Sequence, residues 1–366
     1  MRAVLDSGGG LCSIIAHKFD NRTKKALEKS ENKLTSAPYL PNIRVSRLRA
    51  CGAICCERCK VQRTGKAGER TKEHGVPDFL QLLLSGVATG AIYAMAALGF
   101  TLLWQAAGTI NFAQGEFVML PAFAMLIGMS FGLPLWASFI VAVALSILVL
   151  GAAFKNWIID PMRGSGVVAV VVATLGLSIG LKSFVKAAYS PEPHPFPSIF
   201  GDEVFKLAGL TVSYSDIGAL VFAGLMVLGL QTFLNKTITG RAMQAVAQNT
   251  FAAEALGINV KRMIFYTFAI NAILVAVAAL LITPTYLAKF DMGDNIGLKA
   301  FFAAIIGGFN NSRGALLGGV LVGVLENLAG AYLSPAYKDG VALVLFMAVI
   351  LVKPDGLLGT PQERKV

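Results

Sequence analysis

The sequence predicts an all-α polytopic membrane protein of about eight transmembrane helices, with a re-entrant or broken helix near residues 298–314. Three observations carry that prediction. Residues 79–115 run for 37 positions without an Asp, Glu, Lys or Arg, and a helix crossing the hydrocarbon core needs about 20 mostly apolar residues. Across the chain 55% of residues are apolar and 14% charged, against roughly 25% charged in soluble domains. The mean hydropathy of +0.65 excludes an ordinary soluble globular domain.

The first element is a basic, Cys-rich leader. Residues 1–75 hold 16 Lys and Arg against 7 Asp and Glu, a net of +9, whereas residues 76–366 hold 16 against 14, a net of +2. The overall charge of +11 therefore belongs to the leader, and nucleic-acid binding is excluded for the membrane body. All five cysteines (Cys12, Cys51, Cys55, Cys56 and Cys59) lie in the leader, and Cys56 to Cys59 is a CxxC. A second CxxC or a CxxxH partner is missing, so no metal site is assigned. The leader also lacks the apolar stretch of a signal peptide. It reads as a disordered segment or as an upstream reading-frame extension. The latter would follow if Val76 were encoded by a GTG start codon, since no Met occurs between Met1 and Met95.

Apolar runs of spanning length follow at 79–104, 115–131, 134–157, 167–187, 216–234, 264–284 and 314–332. Residues 340–352 are short but end at Lys353-Pro354, an interfacial stop. Residues 298–308 make only about half a span, bounded by Lys299 and the polar turn Asn310-Asn311-Ser312-Arg313-Gly314. Orientation follows from flanking Lys and Arg. The connection 235–263 carries a net +3 and reads as cytoplasmic, and 188–216 carries a net −3 and reads as external. Four prolines between Pro191 and Pro197 stiffen the external connection into an extended segment. Lys182 and Lys186 sit near the external end of their helix and read as snorkelling to the interface.

Catalytic signatures are missing: the sequence contains no HExxH, no GxSxG and no Walker A, so this chain cannot hydrolyse ATP by itself. His194 is the only histidine after residue 75, which leaves no material for a histidine relay or a metal site. No catalytic residue and no cofactor is assigned.

Residues 241–257 predict one short amphipathic helix closed by Gly257, lying in the cytoplasmic connection. Its Ala-rich apolar face suits a groove on a partner protein better than deep lipid insertion. Two membrane segments are candidates for a path. Asn111, Gln114 and Glu116 form a polar break between apolar stretches, with Glu116 opening the next helix as either a cap or a substrate contact. The Gly-rich run 314–332 allows close helix approach and carries Glu326 and Asn327 inside the span, as a gating element or a buried hydrogen-bond partner. Glu326 reads as the one mid-span charge. Asn271 reads as an interhelical hydrogen-bond partner, and Asp291, Asp294 and Asn295 as a solvated external turn.

Four stretches carry a family resemblance. They are GAIYAMAALGFTLLWQAAGTINFAQGEFVML (90–120), GRAMQAVAQNTFAAEALGI (240–258), IIGGFNNSRGALLGGVLVGVLENLAGAYLSPAYKDG (305–340) and LVKPDGLLG (351–359). The chain resembles the permease subunit of branched-chain amino acid ABC importers, its LivH-like branch, over nearly all of 77–360 and none of 1–75. The resemblance implies a permease domain over 76–360, a cytoplasmic tail at 361–366 and a multi-pass protein of the bacterial inner membrane. It implies cytoplasmic ATPase subunits, a second permease in a hetero- or homodimer, and an external solute-binding protein. Residues 240–258 would then correspond to the loop that docks into the ATPase, with Arg241, Gln248, Asn249, Glu254, Ala255 and Gly257 as docking candidates. The spacing EALG departs from the family's EAAxxxG. Urea or short amides are alternative substrates. A stand-alone secondary transporter is the alternative class, disfavoured here because it needs paired intramembrane ions.

Overall fold

Helix α1 (Val76–Ala107) is the first element of a computed structural model that describes residues 76–108, 110–162, 166–189, 191–201, 204–207, 210–309 and 311–359. The readings of the leader (1–75) and of the tail (361–366) lie outside the described residues.

Ten further helices follow among the described residues, besides a single 3-10 turn at Pro335–Tyr337. They are α2 (Gln114–Ser130), α3 (Leu135–Met162), α4 (Val167–Ala188), α5 (Tyr214–Lys236), α6 (Ile238–Gln248), α7 (Thr250–Ala255), α8 (Val260–Tyr286), α9 (Met292–Gly307), α10 (Ser312–Tyr332) and α11 (Lys338–Val352). Among the described residues seven helices are long and apolar enough to cross a membrane, and α2 is a shorter apolar helix beside them. That agrees with the predicted eight. The second half of α3, Ile147–Ile159, is wound as a π-helix.

Burial separates an inner set of helices from a peripheral one. The most apolar windows of α1 and α8 are 61% and 72% buried within the protein, whereas those of α4, α5 and α11 are 17%, 22% and 11% buried. The peripheral helices are just as apolar, so their outer faces are suited to lipid. Helices α1 and α10 meet backbone to backbone. A Cβ added at Gly90 would lie 2.7 Å from Val320 Cα, and one at Gly86 2.8 Å from Val324 Cα. Without an apolar driving force between helices in lipid, such small-residue contacts gain their stability from close packing.

The predicted break exists, with its helix longer than expected. Rather than half a span from 298, α9 starts at Met292 and runs for 16 residues, about 24 Å at 1.5 Å per residue. It stops at Gly308, whose φ of +105° suits glycine, and α10 starts at Ser312 with Asn311 Oδ1 accepting from the Arg313 amide at 3.0 Å. The C-terminal LVKPDGLLG segment closes this corner. The amides of Leu357 and Leu358 donate to the carbonyls of Ile306 (2.8 Å) and Gly307 (3.1 Å), two of the groups that a helix end leaves open.

Two expectations for the connections are corrected. The single amphipathic helix over 241–257 is two helices, because Asn249 leaves helical geometry and caps α7, its Oδ1 accepting from the Ala252 amide at 3.1 Å. Gly257 does terminate α7, at φ +80°. Of the predicted solvated turn, Asp291, Asp294 and Asn295 are all exposed, but only Asp291 lies in a turn; Asp294 stands in the first turn of α9, bonded to Lys182. Before α5 the acidic connection holds a two-stranded hairpin of β1 (Val204–Leu207) and β2 (Leu210–Ser213). Its Pro-rich part is extended, and the backbone of His194 pairs with Ala288 through two hydrogen bonds of 3.0 Å.

Candidate functional site

The four helices α1, α5, α8 and α10 each contribute to two cavities, one toward each end. One cavity of about 410 Å³ is lined by Thr89 and Ile92 of α1, Asp216 of α5, Tyr286 of α8, and Glu326 and Asn327 of α10, with Lys299 of α9 and Asp339 of α11. The other, of about 510 Å³, is lined by Gln105 of α1, Asn235 of α5, Thr267 of α8 and Arg313 of α10, together with Gln244 and Gln248 of α6. Along α8 the linings are separated by the stretch from Thr267 to Leu281, about 21 Å of helix. The first cavity lies at the end that carries the acidic connection, the second at the end that carries the basic one.

The first cavity has a charged wall. Lys299 Nζ lies 2.8 Å from Glu326 Oε1 and 3.0 Å from Asp339 Oδ1, and its ammonium also stands 5.5 Å from the ring centre of Tyr93 and 5.9 Å from that of Tyr286. The two tyrosine hydroxyls are 2.9 Å apart, and Tyr286 donates to Glu326 Oε1 at 3.4 Å. Glu326 Oε2 is buried without a hydrogen-bond partner. The reading of Glu326 as the one mid-span charge is therefore corrected. Lys299 is buried beside it, and Lys155 of α3 is buried on Asp160 at 2.6 Å. Paired intramembrane ions are present, so their expected absence no longer weighs against a self-coupled transporter. The half-span reading puts Lys299 at a boundary and so leaves it out of the predicted site. The signal available was a lysine seven residues inside a helix that starts at Met292.

Asn327 lies beside Glu326, donating through Nδ2 to Gly323 O (3.2 Å) and to Thr89 Oγ1 of α1 (3.4 Å). The other polar-break residues sit apart from both cavities. Gln114 and Asn271 exchange two hydrogen bonds, of 2.7 and 3.0 Å, across α2 and α8. They meet over Gly99, about two turns before the end of α1, so the chain folds back into the bundle before α2 begins. Asn111 is buried and accepts from the Ala113 amide at 3.0 Å. Glu116 accepts from Ser178 at 3.2 Å and has Lys182 at 3.7 Å, while Lys182 bonds more closely to Asp294, at 2.7 Å. Lys182 is thus an interhelical tie rather than a snorkelling side chain.

The candidate docking residues Arg241, Gln248, Asn249, Glu254, Ala255 and Gly257 are each exposed on α6, α7 and the turn after them, and Gln248 also lines the second cavity. Sequence reasoning passed over their apolar neighbours. Phe251 and Leu256 are 85% and 80% exposed there, while Met243, Val246 and Ala253 bury the opposite face. The pattern of apolar positions in 241–257 contained them, but which side faced the protein was set by the break at Asn249.

Comparison with known proteins shows which sequences this chain is similar to. A family model described as the permease component of branched-chain amino acid transport systems matches residues 82–350. The LivH permease protein of the high-affinity branched-chain amino acid transport system of Escherichia coli K12 is 33% identical over 301 residues, covering 79% of this chain and 98% of that protein. The BraD permease protein of Pseudomonas aeruginosa is 34% identical over 303 residues, with the same coverage. A LivH protein of Methanocaldococcus jannaschii is 27% identical over 304 residues, covering 78% of this chain and 94% of that protein.

Proposed function

This chain belongs to the family of permease components of branched-chain amino acid transport systems, and from that premise we propose how it works. It forms the membrane path of an importer for branched-chain amino acids. ATPase subunits in other chains supply the energy, a second permease completes the pair, and an external binding protein delivers the solute. The observation that carries this reading is the pair of cavities at opposite ends of the same four helices. A path that opens first to one side and then to the other needs such a constricted stretch between two chambers. By the charge of its connections the Lys299 cavity faces outward and the Arg313 cavity faces the cytoplasm. The exposed surface of α6 and α7, with Phe251 and Leu256 projecting beside Glu254 and Gly257, is the face that takes the ATPase.

Asn327 and Glu326 are the path residues of this reading, and Asn111, Gln114 and Glu116 hold the re-entrant segment that frames it. The test is uptake of labelled leucine into proteoliposomes holding the full chain, its ATPase and a loaded binding protein. ATP-dependent uptake is expected, and uptake that needs no ATPase would overturn the importer. The buried Lys299–Glu326 pair favours one second reading, a self-coupled transporter, and the ATPase-free arm of the same assay decides between them.

A further inference from the structure

We propose that the outer cavity is a contact site for a zwitterionic α-amino acid, which binds by exchanging places with the Lys299–Asp339 ion pair. The proposal rests on the import reading above and names the solute chemistry of that same cavity.

The two arms of the Lys299 cluster differ in one respect. The side chains of Lys299 and Glu326 are 6% and 3% exposed, so separating them strands an ion in a dry setting. The side chain of Asp339 is 68% exposed and loses little by turning to water. Lys299–Glu326 is therefore the fixed arm and Lys299–Asp339 the exchangeable one. Glu326 adds a second observation, because it is a residue of the cavity lining and its Oε2 is buried without a hydrogen-bond partner, an acceptor that a small turn of the carboxylate would offer to a ligand.

An α-amino acid carries the same two groups as the pair it would displace. Its carboxylate takes the place of Asp339 on Lys299. Its ammonium then donates to the released Asp339 and to Glu326 Oε2. No covalent bond changes, and every charge keeps a partner through the exchange, so no desolvated ion is left alone. Ala88, Ile92, Leu281 and Ile282 form an apolar wall of the same cavity and suit an aliphatic side chain. Urea or a short amide has neither charge and cannot make the exchange.

The test uses the full chain in proteoliposomes, with its five leader cysteines changed to serine and one reporter, Thr285→Cys, placed at an exposed position of the cavity lining. Labelling of that cysteine by a methanethiosulfonate reagent is timed in the presence of leucine, isopentylamine or 4-methylpentanoate. Leucine should slow labelling by about tenfold, the scale of one charge-assisted hydrogen bond, and each single-charge analogue should slow it less. Glu326→Gln should abolish protection by isopentylamine and spare protection by 4-methylpentanoate. Asp339→Asn, at an exposed position, should show the same selective loss and covers the case in which Glu326→Gln does not fold. Labelling indifferent to leucine, or amine protection surviving in either folded variant, overturns the site. Leucine uptake measured in parallel separates the two claims. Uptake without protection sinks the exchange site alone, protection without uptake sinks the import reading alone, and the loss of both sinks both.

Discussion

Glu116 and Glu326 are almost equally buried, at 1% and 3% exposure, yet they sit in opposite settings. Glu326 faces a lysine that is itself buried, and the pair borders a cavity. Glu116 leans on a serine, and its lysine stands farther off, partly solvated and committed to Asp294. Equal burial of two acids therefore does not mean an equal electrostatic setting. What separates the two is whether the cation is also desolvated and whether the pair borders open space.

Four substitutions probe that contrast, the largest effect first. Lys299→Met strands Glu326 in the bundle and should cost about 3–5 kcal/mol of stability, read as thermal unfolding of the purified protein in detergent. The double variant Lys299→Met/Glu326→Leu should recover most of that loss, and no recovery would mean that the lysine acts through packing rather than charge. Gly90→Val drives a side chain into the backbone of α10 and should cost about 1–3 kcal/mol, or more if α1 cannot shift. It tests whether the frame around the Glu326 pair is as rigid as the pair itself. Asn271→Leu leaves the Gln114 amide unmatched and should cost about 1–3 kcal/mol, whereas Asn271→Leu/Gln114→Leu should cost less than the single change. Lys182→Met removes only the partly exposed cation beside Glu116 and should cost at most about 1 kcal/mol, since Ser178 still donates. A loss as large as that of Lys299→Met would erase the distinction between the two acids.

Much of the fold was legible because lipid imposes a simple rule on composition. The run 314–332 became Ser312–Tyr332, and 115–131 became Gln114–Ser130. Where boundaries failed, a charged residue had been given a local reading. Local sequence puts Asp294 in a turn and Lys299 at a helix boundary, yet each is satisfied by a partner far along the chain, Lys182 and Glu326 respectively. Hydropathy reports whether a residue avoids water, not which distant side chain neutralises it. Asn249 shows the same limit on a short scale, because its capping bond competes with a continuous helix and periodicity favours the longer helix. Of the candidate site, Glu326 and Asn327 were visible as polar residues in an apolar span, whereas Lys299, Tyr93 and Asp339 were joined to them only by tertiary packing.

The closure of α9 by Leu357 and Leu358 bears on the order in which the molecule is assembled. The ribosome delivers α9 about fifty residues ahead of the segment that satisfies its last two carbonyls, so the helix enters the bilayer with its end unfinished. The segment after α11 is then a latch that can close on α9 only after α10 and α11 have been made. A released chain truncated after Pro354 should accordingly be cut by protease near Gly308 faster than the full chain, and equal cutting would show that the corner sets without its latch.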